Sequence, residues 1–108
     1  MKISIITVTL NSDQTIRDTL NSVFSQTYKN IEHIIIDGGS KDKTLAILKK
    51  YPNKKKKIFI KNNFGIYKSI NYGIQKSSGK YICILNSDDI YQSNDTIKNL
   101  VKLISKNK

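Results

Sequence analysis

The chain has 108 residues, a length typical of one small domain, and its single cysteine, Cys83, excludes an intramolecular disulfide. No apolar run is long enough to span a membrane, and we expect a cytoplasmic protein. The formal net charge of +11 indicates an anionic partner such as a phosphate-bearing ligand or an anionic membrane surface. Nucleic acid is disfavoured because Arg17 is the only arginine, and arginine is the usual base-reading side chain.

Strand and helix signals alternate along the whole chain. Short runs rich in Ile and Val predict strands, and apolar residues at helical spacing predict the helices between them. The predicted strands span 3–10, 31–36, 58–61 and 81–85, and the predicted helices span about 14–25, 42–51, 65–76 and 96–104. This alternation predicts an α/β fold with a mostly parallel, Rossmann-like sheet and helices on both faces.

Three local patterns add detail to this scheme. The run 54–57 is four consecutive lysines and predicts a solvated cationic loop before the third strand. Ile66, Ile70 and Ile74 recur at helical spacing and indicate an apolar face on the third helix. The apolar run 81–85 predicts a strand that is buried on both faces, as strands of a parallel sheet often are.

Polar residues follow three of the predicted strands, at 11–12, 37–40 and 86–89. The carboxyl ends of parallel strands meet at one edge of the sheet, where α/β proteins bind ligands. No glycine-rich dinucleotide or P-loop motif is present. His33, the only histidine, lies inside a predicted strand, which disfavours Ser-His-Asp hydrolysis. A nucleotide-sized cleft is therefore the favoured prediction.

Two acidic positions are candidates for chemistry in that cleft. Asp37 closes a strand before two glycines, so it either accepts hydrogen bonds from a nucleobase or ribose or forms a simple Asx turn. Asp88 and Asp89 are adjacent carboxylates whose repulsion a divalent cation would relieve. They either hold Mg²⁺ or Mn²⁺ beside a diphosphate or cap the next helix.

The order and spacing of these blocks resemble glycosyltransferase family 2. The segments that carry the resemblance are 5–11, 22–28, 34–44, 65–73, 78–81 and 86–89. The resemblance implies the nucleotide-sugar-binding part of a GT-A fold, as one domain over residues 1–108. It also implies transfer of a sugar, commonly from a UDP-sugar, with Mg²⁺ or Mn²⁺, to a polysaccharide or lipid-linked glycan acceptor.

Site residues follow from the same resemblance. The implied donor-site residues are Thr9, Asn11, Asp37, Gly39, Gly65, Tyr67, Asn71 and Asp88, and the implied metal ligands are Asp88 and Asp89. The family's acceptor half and general base lie beyond the metal motif, so we expect no catalytic base in this chain.

The sequence departs from the family pattern at Asn63, Lys68 and Tyr72, where relatives tend to carry two acids and a lysine. Two alternatives therefore stay open. One is a truncated or degenerate nucleotide-sugar-binding module, completed by a second copy or by a partner chain. The other is a basic protein that binds a membrane surface or nucleic acid through residues 54–57.

Overall fold

The computed structural model describes residues 1–106 as a four-stranded parallel sheet with helices on both faces. The strands are β1 (Ile3–Thr9), β2 (Ile31–Asp37), β3 (Lys56–Ile60) and β4 (Tyr81–Ile84), and the helices are α1 (Ile16–Phe24), α2 (Thr44–Lys50), α3 (Ile66–Lys76) and α4 (Thr96–Lys106). The strand order is β3-β2-β1-β4, which confirms the predicted α/β architecture. In the described part of the chain, no helix has the length and apolarity to cross a bilayer.

The two central strands, β1 and β2, present an apolar layer on each face, because successive side chains of a strand point to opposite sides. On one face, Ile3 and Ile5 pack with α1 and α4 residues, and Ile35 packs with α1 and α2 residues. On the other face, Ile6, Ile34 and Ile36 pack with Tyr72 of α3. The helices therefore divide into α1, α2 and α4 on one side and α3 on the other.

Helix α3 meets the sheet through small residues and not through its isoleucine stripe. Ser69 and Gly73 are the buried residues of this helix. A Cβ atom added to Gly73 would lie 2.8 Å from Cγ2 of Ile6, so the helix backbone approaches the sheet closely. Ile66 and Ile74 remain 53% and 42% exposed. The isoleucines have helical spacing as predicted, but Ile66 and Ile74 do not face the core.

The predicted burial of the last strand on both faces is wrong. Tyr81 and Cys83 are half-buried, whereas Ile82 and Ile84 are exposed, because β4 is an edge strand whose α3 side is covered only in part within residues 1–106. The predicted cationic loop over residues 54–57 is also wrong in its second half, because Lys56 and Lys57 belong to β3. The other element bounds differ from the predictions by about two residues, within the usual uncertainty of helix and strand ends.

Candidate functional site

A cleft opens where β1, β2 and β4 end, at the edge of the sheet predicted from the polar loops. It consists of two adjoining hollows with volumes of about 800 Å³ and 500 Å³. Val8, Asn11, Ile66 and Ser87 line both hollows. The end of β1, the start of α3 and the loop after β4 therefore surround one continuous space.

The structure brings five of the predicted donor-site residues to this cleft, namely Thr9, Asn11, Gly39, Gly65 and Asp88. Four other predicted residues do not line it, and one of them, Asp37, is fully buried. Tyr67 is 82% exposed on α3, and Asn71 and Asp89 are also exposed. Their contacts with a ligand stay predictions.

Asp37 lies beneath the cleft, fully buried at the end of β2. Its Oδ1 accepts hydrogen bonds from the hydroxyls of Thr9 (2.7 Å) and Ser40 (2.6 Å). Its Oδ2 accepts from the backbone N–H groups of Gly39 (2.9 Å) and Ser40 (2.7 Å). Gly39 has a φ of 100°, a conformation that glycine adopts without strain. The carboxylate thus fixes the loop that forms one wall of the cleft.

The loops after β1 and β2 are joined by hydrogen bonds between backbone and side chains. The N–H of Asn11 donates to Oγ of Ser40 (2.9 Å), and the N–H of Lys41 donates to Oδ1 of Asn11 (2.8 Å). Asp42 accepts from the N–H groups of Asp13 and Thr44. Partial desolvation raises the pKa of Asp42, but these hydrogen bonds outweigh it and lower the pKa below its usual range. The two loops therefore act as one unit.

The loop after β4 is held by α1, a contact that the sequence did not predict. The hydroxyl of Thr19 donates to the carbonyl oxygens of Ser87 (3.0 Å) and Asp89 (2.7 Å). The hydroxyl of Thr15 also donates to the Ser87 carbonyl (2.9 Å). The Oγ atoms of Ser12 and Ser87 lie 2.9 Å apart. Thr15 and Thr19 are four residues apart, a spacing that places two side chains on the same side of a helix. This spacing is the feature of the sequence that could have indicated a shared contact.

The Asp88 and Asp89 side chains suit a hard divalent cation. Both are exposed, and in residues 1–106 neither carboxylate forms an ion pair with a lysine or arginine. No cluster of three or more His, Cys, Asp or Glu side chains occurs among those residues. Mg²⁺ is usually held by one or two carboxylates together with waters and substrate phosphates, so a pair of acids is sufficient. The oxygen-only donor set fits Mg²⁺ or Mn²⁺.

Comparison with known proteins identifies the class of this domain. The fold matches that of Staphylococcus aureus TarS 1–349 with a TM-score of 0.90 and 32% sequence identity, over 98% of this chain and 33% of that one. TarS has also been solved in complex with UDP-GlcNAc and with UDP. A mannosyltransferase of Pyrobaculum calidifontis, in complex with GDP-Man and Mn²⁺, matches in fold with a TM-score of 0.89 at 21% identity. The sheet is thus that of the GT-A glycosyltransferases.

The sequence comparison agrees with the fold. Glycosyl transferase family 2 matches over residues 4–108, and the chain belongs to this family. An uncharacterized glycosyltransferase of Rickettsia typhi is 38% identical over 96% of this chain and 32% of its own length. A cholesterol galactosyltransferase of Borreliella burgdorferi is 36% identical over 85% of this chain and 26% of its own length. The chain therefore spans about a third or less of these relatives.

Proposed function

We propose that the cleft binds a nucleotide-diphosphate sugar, and that the domain serves glycosyl transfer to a polysaccharide or lipid-linked glycan. The observation that carries the proposal is the position of Asp88, which lines a cleft of nucleotide size at the carboxyl ends of the strands. The likeness to TarS, which binds UDP-GlcNAc, supports a UDP-sugar as donor. A cytoplasmic location, where such donors are made, belongs to the same proposal.

Each part of the cleft has a role in this proposal. Asn11 contacts the nucleoside, whereas Thr9 and Asp37, which are fully buried and hydrogen-bonded to each other, position the Gly39 loop against it. Asp88 and Asp89 hold Mg²⁺ or Mn²⁺, which when bound neutralises the diphosphate of the leaving nucleotide. Thr19 keeps the loop of these two acids in place through its hydrogen bonds.

Calorimetric titration of UDP into the purified chain tests the donor site. We expect binding that requires Mn²⁺ or Mg²⁺ and that is lost in Asp88→Asn. Asp18→Asn is the matched control, because Asp18 is an exposed acid on α1 that does not line the cleft. Binding of UDP that is unchanged by chelation and by Asp88→Asn would contradict the metal assignment. No binding of any nucleoside diphosphate by the folded chain would contradict the donor site.

A second candidate function is a nucleotide-sugar-binding module that works only with a second copy or a partner chain. Exposed apolar side chains on α3 and β4 favour it, because monomeric proteins seldom leave a contiguous apolar patch uncovered. Sugar transfer by the chain alone at ordinary enzyme rates would contradict this candidate.

A further inference from the structure

Two further hollows adjoin at the amino ends of the strands, at the opposite end of the sheet from the cleft. The larger, about 290 Å³, has apolar walls and a lysine rim; among its lining residues are Val23, Phe24, Ile31, Pro52, Lys29 and Lys54. The smaller, about 240 Å³, is lined mainly by charged residues, which include Lys2, Glu32 and Lys57. Ile31, Lys54 and Lys55 line both. An apolar surface and a cationic surface therefore meet at shared residues.

The charge at this end is positive. In the described chain, Glu32 is the only carboxylate that lines either hollow. Its Oε1 lies 3.0 Å from Nζ of Lys57 and 3.5 Å from Nζ of Lys2, so two lysines face one acid. Lys29 and Lys54 form no ion pair within residues 1–106. An anion entering here would therefore meet lysines that have no acidic partner.

We propose that this face binds anionic phospholipid at a membrane surface, with the lipid phosphate on the lysines around Lys54 and its apolar part in the larger hollow. A ligand that is both anionic and apolar matches the two adjoining surfaces, whereas a free phosphate would match only the cationic one. Phe24, which is 49% exposed beside the hollow, supplies an aromatic ring of the kind found at membrane interfaces. Nucleic acid fits less well because Arg17 lines neither hollow.

This orientation leaves the cleft facing the aqueous phase, because the two regions lie at opposite ends of parallel strands. A water-borne ligand of the cleft would then enter without crossing the lipid surface. The inference goes beyond the proposed function and does not depend on it, since it concerns different residues and a different ligand.

Co-sedimentation with phosphatidylcholine vesicles, with and without phosphatidylglycerol, tests the proposal. We expect the wild-type chain to bind only the anionic vesicles. The double variant Lys29→Glu/Lys54→Glu should weaken binding about tenfold or more, because each lysine near an anionic surface contributes substantially to attraction. Lys61→Glu/Lys68→Glu is the matched control; it makes the same charge change at the carboxyl ends of the strands, outside both hollows, and should keep most of the binding.

A second pair of variants tests the apolar hollow without changing charge. Phe24→Ser should weaken vesicle binding several-fold, whereas Leu103→Ser, at another exposed apolar position, should not. Circular dichroism establishes that each variant is folded. Equal losses in the two lysine pairs would overturn the proposal in favour of general charge attraction. Displacement from vesicles by millimolar inorganic phosphate, or binding to RNA without binding to vesicles, would also overturn it.

Discussion

The carboxylate of Asp37 lies where β2 passes into the loop that carries Gly39. A buried carboxylate is costly unless hydrogen bonds replace its lost water, and four donors surround this one. Both oxygens are occupied by the protein's own donors. The side chain therefore acts in this structure as a support of the cleft wall, and direct contact with a nucleotide would require it to exchange a partner.

The sequence could predict part of this site because strand ends are readable from local pattern. Asn11 and Asp88 each follow an apolar run, and parallel pairing then brings them to one edge. The support of the loop by Thr19 could not be predicted in the same way. It depends on the distance between α1 and a loop about 70 residues later, which no local pattern encodes.

His33 is a buried residue with an incomplete set of hydrogen bonds. Its Nε2 lies 2.8 Å from Oγ1 of Thr7, and its Nδ1 has no partner within the described residues. Burial disfavours the charged ring and lowers the pKa of His33 from 6.5 to about 4. The folded state therefore keeps this histidine neutral at pH values where the unfolded chain would protonate it.

The stability of the chain should consequently fall with acid in a defined window. The unfolded chain binds the His33 proton more tightly than the folded chain. The free energy of unfolding therefore carries no penalty from His33 above pH 6.5 and decreases as the pH falls from 6.5 toward 4. The loss should reach about 3 kcal/mol of unfolding free energy, measured by urea denaturation at a series of pH values. His33→Gln, which cannot titrate, should remove most of this slope.

Glu32 provides an internal check on that assignment, because its titration falls at lower pH. Burial raises the pKa of Glu32, but hydrogen bonds from Ser4, Ser78 and Lys57 outweigh this and bring it to about 2. The ionised Glu32 therefore stabilises the folded chain above pH 4.5, and this stabilisation is lost only as the pH falls from 4.5 toward 2. If His33→Gln keeps the full wild-type slope between pH 6.5 and 4.5, the assignment to His33 is wrong.

At the scale of elements, the alternation of strands and helices was predictable from the sequence. The face that each helix or strand turns toward the core was not always predictable. The spacing of Ile66, Ile70 and Ile74 predicts one apolar face of the helix, but it does not predict whether that face contacts the sheet. Gly73 decides this, because a residue without a side chain lets α3 lie close to Ile6. The exposure of β4 was not predictable for a similar reason. An apolar strand sequence does not reveal whether the strand lies in the centre or at the edge of the sheet.

Replacement of Gly73 should test the close contact between α3 and the sheet. In Gly73→Ala the new methyl would lie 2.8 Å from Cγ2 of Ile6 and 2.9 Å from Cδ1 of Ile36. Alanine favours helix by about 1 kcal/mol over glycine, but overpacking typically costs 1–3 kcal/mol. We expect a net loss of about 1 kcal/mol or more in urea unfolding, and a gain in stability would contradict the packing. Gln75→Ala, exposed on the same helix, should change stability little.

At the scale of the whole molecule, four exposed isoleucines lie on one side of the sheet. Ile82 and Ile84 of β4 point to the same face of the sheet as Ile6, which is the face that α3 covers only in part. Ile66 and Ile74 of α3 are exposed on that side as well. β4 is also an edge strand, with backbone groups available for further pairing. We call Ile66, Ile74, Ile82 and Ile84 the α3–β4 patch.

The α3–β4 patch should make the purified chain self-associate. Burial of exposed isoleucines contributes about 25 cal/mol for each Å² removed from water, and an unpaired edge strand adds backbone hydrogen bonds. Sedimentation velocity should therefore show a concentration-dependent shift to dimers or larger species. Ile82→Thr/Ile84→Thr, which preserves β-branching, should move the chain toward monomer. Ile60→Thr/Leu103→Thr changes two exposed apolar residues outside the patch and should not. A wild-type chain that stays monomeric at high concentration, or equal effects of the two double variants, would show that the patch does not drive association.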